Sequence, residues 1–78
     1  MDMRAIQRWR QARLAALSKQ VGGNAELGRL MGFKDGAFVG QMISGYRPIT
    51  EATVVKAEAV RHERLGPSGA RGWFSPPP

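Results

Sequence analysis

Residues 34–45 read KDGAFVGQMISG, and three of the twelve are glycine. Glycine inside a helix is about 1 kcal/mol worse than alanine, so propensity alone makes the stretch a loop or a hairpin tip. Yet Val39, Met42 and Ile43 stand three and four apart, the spacing of one helix face. At full burial each such side chain contributes about 1.5–3 kcal/mol. Packing therefore outweighs the penalty at Gly40. The segment is expected to be helical, over residues 36–44, within a folded domain.

The flanking sequence divides into further short helices. Upstream, residues 3–21 carry the longest helical pattern, with Met3, Leu14, Leu17 and Val21 near one face. Arg10 falls within that stripe, where its stem can cover apolar surface. Gly22-Gly23 is a stop signal, because glycine accepts the left-handed cap conformation. Asn24 is a favoured N-cap and Glu26 suits the first turn of a helix expected over Ala25–Met31. Gly32 ends that helix with a turn. Downstream, Gly45-Tyr46-Arg47-Pro48 is a turn, since proline disfavours helix at Arg47. Thr50 caps a fourth helix whose inner face holds Val54, Ala57 and Val60, and which fades near Leu65-Gly66-Pro67. The remainder, PSGARGWFSPPP, is rich in Gly, Pro and Ser and reads as irregular. Trp73 and Phe74 stand out in it as apolar groups that dock, either on the first and fourth helices or on a second copy. The final prolines read as a stiff, extended end or as a linker to a further domain. The fold class expected is all-α: a bundle of four to five short helices over residues 1–66, followed by a Gly/Pro-rich tail over 67–78.

Composition narrows the function. The chain has 78 residues, one domain's worth. It has no cysteine and one histidine, which excludes disulfides, thiolate metal sites and multi-histidine centres. The charged first residues, MDMRAIQRWR, lack a signal peptide's apolar stretch, and no apolar run approaches the ~20 residues of a membrane span. A cytoplasmic protein without a cofactor is the expectation. No nucleophile–base pair, carboxylate pair or metal set suggests an enzyme. Twelve Lys and Arg against six Asp and Glu give a formal charge of +6. Such a balance suits a polyanionic partner: DNA, RNA or an anionic membrane. The membrane is disfavoured because the first helix needs its apolar stripe for the core. RNA is disfavoured because no aromatic stacking platform is visible.

Two short helices joined by a tight glycine turn form a helix-turn-helix pattern. Leu27-Gly28-x-x-Met31-Gly32-Phe33 resembles the first helix and turn of the lambda-repressor-like (Cro/XRE) DNA-binding family. Val39 and Met42 match that family's buried positions in the recognition helix, and Gly45 matches the glycine that ends it. Arg13-Leu14-x-x-Leu17 with Gly22-Gly23, and Tyr46-Arg47-Pro48-Ile49-Thr50-Glu51, resemble the flanking helix and loop. Gly72-Trp73-Phe74 is similar to a short segment of some phage repressors. The likeness covers roughly residues 10–62. Two departures stand out. The turn from Gly32 to Val39 is one residue longer than the commonest form. The glutamate that often pairs with an arginine of the first helix is missing, since Ile43 and Ser44 occupy its region, so Arg10 is expected to be free for phosphate.

The resemblance implies a sequence-specific regulator of transcription, of the phage or mobile-element repressor kind, binding a double-stranded operator as a homodimer. Close helix crossing needs small residues, expected at Gly28 and Gly40, while Gly36 would keep bulk out of the groove. With Val39, Met42 and Ile43 inward, Lys34, Gly36, Ala37, Phe38 and Gln41 are the candidates for base contacts. Gln41 can pair with adenine, Lys34 can reach guanine, and Ala37 and Phe38 can meet thymine methyls. Phe38 suits core and groove equally, and Asp35 suits an N-cap. Candidate phosphate contacts are Asn24, at a helix N-terminus, and Ser44, Tyr46, Arg47, Arg10 and Arg13. Val60, Leu65, Trp73 and Phe74 are candidates for a dimer surface. The alternative is a protein-interaction module on the same fold, an antitoxin-like or adaptor domain.

Overall fold

In a computed structural model, residues 2–66 and 73–74 are described. They form four helices and, among the described residues, no strand: α1 (Met3–Val21), α2 (Asn24–Leu30), α3 (Ala37–Ser44) and α4 (Glu51–Leu65). The all-α bundle expected from the sequence is what the chain adopts.

Local chemistry sets the ends of each helix. Asp2 caps α1 by accepting from the Ala5 N–H at 2.8 Å. Gly22, at φ +113°, ends it, and the Gly22 and Gly23 N–H groups both return to the Ser18 carbonyl. Gly23, not Asn24, is the N-cap of α2 and carries no side chain to cap with. Asn24 lies inside the first turn instead, where its Oδ1 accepts from the Ser18 hydroxyl at 2.5 Å. The helix thus starts and ends one residue earlier than the sequence suggests. At its far end the Phe33 N–H reaches the Gly28 carbonyl at 2.8 Å around Gly32, at φ +89°. This six-to-one closure is the common way to stop a helix with glycine in the left-handed region. Thr50 caps α4 through the Thr53 N–H.

Leu14, Leu17, Leu27, Val39, Ile49 and Phe74 are the largest fully buried side chains, joined in the core by Met31, Met42, Val54, Ala57 and Val60. Met3 departs from the expected stripe: at the first residue of α1, it is 65% exposed. Ile49 is a core residue that periodicity did not reveal, because it lies between helices. Gln7 holds its peptide from both sides, donating Nε2–H to the Ile49 carbonyl at 3.0 Å and accepting the Ile49 N–H at 2.8 Å.

The Trp73–Phe74 pair of the tail docks on the bundle. Phe74 sits in the same cluster as Leu14 and Val60, with Trp73 packed against it. The Trp73 ring lies between two guanidinium groups, with Arg13 at 4.2 Å and Arg61 at 4.0 Å from its centroid. Phe74 thus takes the intramolecular one of the two docking sites expected for it, and Val60, buried in the core, is corrected as a dimer-surface candidate; Leu65 remains exposed. The expectation for the last three prolines lies outside the described residues.

Candidate nucleic-acid interface

Helix α3 packs on both α1 and α2, and its two faces differ sharply. Val39 and Met42 are buried and Ile43 is half-buried against the core. Ala37, Phe38 and Ser44 are exposed, and Gln41 is half-exposed. The helix is presented on its outer side because α2 crosses behind it at very short range. A β-carbon on Gly28 would lie 2.3 Å from the Asp35 carbonyl oxygen. One on Gly36 would lie 2.7–2.9 Å from the backbone of Asn24 and Ala25. Backbone therefore meets backbone at both glycines, and α3 is seated directly on α2.

That geometry corrects two assignments. Gly36 faces α2 rather than the groove, so it is not a base contact, and it serves as the N-cap of a helix that begins at Ala37. Gly40 is not the close-crossing residue, since a β-carbon there would meet only the Asn24 Nδ2 at 3.6 Å. Asp35 organises the start of α3 by accepting the Ala37 N–H at 2.8 Å.

The other residues expected to meet bases converge. Lys34, Asp35, Ala37, Phe38, Gln41 and Arg47 line one shallow hollow on the outer face. Arg47 ties it together. Its Nε–H donates to the Gln41 Oε1 at 2.6 Å, and its backbone N–H donates to the Gln41 carbonyl at 3.1 Å. Its guanidinium lies 4.5 Å from the Phe38 ring centroid. The Phe38 ring in turn leans on Phe33, 5.4 Å between centroids. Phe38 thus stands at the edge of the core and is 42% exposed.

The phosphate set divides. Tyr46 is 78% exposed in the loop after α3. Ser44, exposed, donates its hydroxyl to the Gln41 carbonyl at 3.1 Å. Asn24 keeps its amide nitrogen beside Gly40 while its oxygen is engaged by Ser18. Arg10 is not free. Its side chain is 12% exposed, donates to the Ile49 carbonyl at 2.7 Å, and pairs with Glu51. The carboxylate that pairs with it comes from the start of α4. Arg13 is also occupied, stacked over Trp9 and Trp73.

Two further arginines, Arg4 and Arg8, stand together on the surface of α1. Met3, Arg4, Gln7, Arg8 and Gln11 line a second hollow, on the outer side of α1. Gln11 reaches the end of α3: a β-carbon on Gly45 would lie 3.2 Å from its Nε2. Arg4 and Arg8 are both exposed, and no carboxylate lines that hollow. Their four-residue spacing was the available signal, since it places them on one helix face. Elsewhere, Arg29 hydrogen-bonds Glu26 and holds its carboxyl below the usual range, an effect on the exposed surface of α2.

Among the described residues no group of His, Cys, Asp and Glu could hold a metal ion, and no helix is long and apolar enough to cross a membrane. No protein-family model, curated protein or solved structure matches this chain.

Proposed function

We propose that this chain is a sequence-specific double-stranded DNA-binding regulator of transcription, of the repressor type, which seats α3 in the major groove. The observation that carries this reading is the outer face of α3: an eight-residue helix, seated by backbone contact on α2, whose exposed side gathers Lys34, Ala37, Phe38, Gln41 and Arg47. A helix with its side chains is about 10–12 Å across, which suits a groove about 12 Å wide. Lys34 and Arg47 outweigh Asp35 and leave the face net positive, in keeping with the net charge of +6.

In this reading, Lys34, Ala37, Phe38 and Gln41 address base edges, with Arg47 supporting Gln41. Tyr46, Asn24, Arg4 and Arg8 hold phosphates on either side, which fixes register without carrying sequence information. Two copies bind half-sites about one helical turn apart. The test is selection of bound duplexes from a random library, followed by gel shift at physiological salt. A recovered motif bound well above scrambled DNA supports the reading, and equal binding to both sinks it.

One observation favours a second reading, a protein-interaction module. Phe38, exposed and leaning on Phe33 and Arg47, offers an apolar anchor of the kind protein interfaces use. Changing Lys34 and Gln41 to alanine separates the two. It abolishes operator preference in the first case and leaves partner binding intact in the second.

A further inference from the structure

We infer that Arg47 converts Gln41 from a reader of adenine into a reader of guanine. The inference rests on the DNA-binding reading above and names the base that the same face selects.

A glutamine that pairs with adenine uses both ends of its amide. Oε1 accepts from the adenine N6 amino group while Nε2–H donates to N7. Here the acceptor end is already engaged. The Arg47 Nε lies 2.6 Å from the Gln41 amide oxygen. A guanidinium can only donate, so the amide atom facing it must be the oxygen. That fixes the amide orientation by chemistry.

Arg47 is itself held in place. Its backbone N–H donates to the Gln41 carbonyl, and its guanidinium packs on the Phe38 ring. Gln41 and Arg47 therefore form a buttressed pair, and both line the outer hollow of α3. Oε1 keeps a second lone pair, but the pair offers mostly donors: the two hydrogens of Nε2 and the terminal guanidinium nitrogens. The positive charge beside Oε1 also repels an approaching amino group. Guanine is the base whose major-groove edge offers two acceptors, N7 and O6. Adenine and cytosine each place an amino donor there, and thymine offers one acceptor beside a methyl group. A pair so weighted toward donors therefore selects guanine, with discrimination against adenine of about 5- to 150-fold, the range of a good bidentate contact.

The test is library selection with the full chain, its Gln41→Ala variant and its Arg47→Ala variant, each checked for helicity by circular dichroism. Gln41→Ala identifies the base position that Gln41 faces, as the one whose preference it erases. The expected result is guanine at that position for the parent chain and a shift toward adenine in Arg47→Ala, where Oε1 is released. Adenine in the parent chain overturns the inference while the DNA-binding reading stands, and so does guanine that persists unchanged in Arg47→Ala. If Arg47→Ala loses its helicity, the parent chain's base at that position decides alone. Recovery of no motif by the parent chain overturns the DNA-binding reading and the inference with it.

Discussion

Gly28 lies against Asp35 so closely that a β-carbon on the glycine would stand 2.3 Å from the Asp35 carbonyl oxygen. The obstacle is backbone, which cannot rotate away, and Gly28 is buried. Gly28→Ala must push α2 off the segment that opens α3. We expect it to lower stability by about 1–3 kcal/mol or more, the range of overpacked cores, read as a fall in the urea midpoint. Gly36→Ala should do the same from the other side, because its β-carbon would meet the Asn24 and Ala25 backbone at 2.7–2.9 Å. Either variant denaturing like the parent chain would show that α2 and α3 are not seated as described.

Gly40 predicts the opposite sign. It is inside α3, its φ is not in the left-handed region, and an added β-carbon would make only an ordinary contact, 3.6 Å from the Asn24 amide nitrogen. Gly40→Ala should therefore stabilise the domain by about 0.4–1 kcal/mol, through helix propensity and a less flexible unfolded chain. The check is the same denaturation curve, and a lower midpoint contradicts it.

These glycines mark where the sequence was legible and where it was not. Spacing alone placed Val39 and Met42 inward and Ala37 outward, because helical faces follow from a fixed period. Which glycine meets a neighbouring backbone depends on where two helices cross, and that is not periodic. Gly36 therefore takes the close approach to α2 that spacing assigned to Gly40. Arg10 departs from expectation for a related reason: its partner Glu51 is 41 residues away, and no local spacing reveals such a pair. Ile49 and Phe74 lie outside any helix, so no apolar stripe announced them as core. Glycine and threonine at helix ends were more readable, since Gly22, Gly32, Gly45 and Thr50 act through conformation and bonding within a few residues.

Phe74 completes the core from beyond the last helix and is 2% exposed. Phe74→Ala should cost about 3–5 kcal/mol, the usual range for deleting a buried phenylalanine. For a domain of this size that approaches the whole stability, so the variant should melt many degrees lower or be unfolded at room temperature. Trp73→Ala should cost less, because the indole is only half-buried and its guanidinium contacts are partly solvated. A Phe74→Ala variant melting like the parent chain would mean that residues 73–74 dock elsewhere.

The arginines of α1 divide into two kinds, and salt dependence tells them apart. Arg4 and Arg8 are exposed and line a hollow without a carboxylate. Arg10 is committed to Ile49 and Glu51. Removing one cation that neutralises a phosphate reduces the slope of log affinity against log salt by about 1. Arg4→Gln with Arg8→Gln should therefore reduce the slope by about 2, weaken binding evenly across duplex sequences, and leave thermal unfolding unchanged. Arg10→Met should do the reverse. It keeps the apolar stem but leaves the Ile49 carbonyl with one donor fewer, so stability falls by about 1–3 kcal/mol while the slope holds. A double Arg4/Arg8 variant with the parent slope would remove α1 from the DNA interface. An Arg10→Met variant with a reduced slope and unchanged stability would return Arg10 to the phosphate set, against its place in this structure.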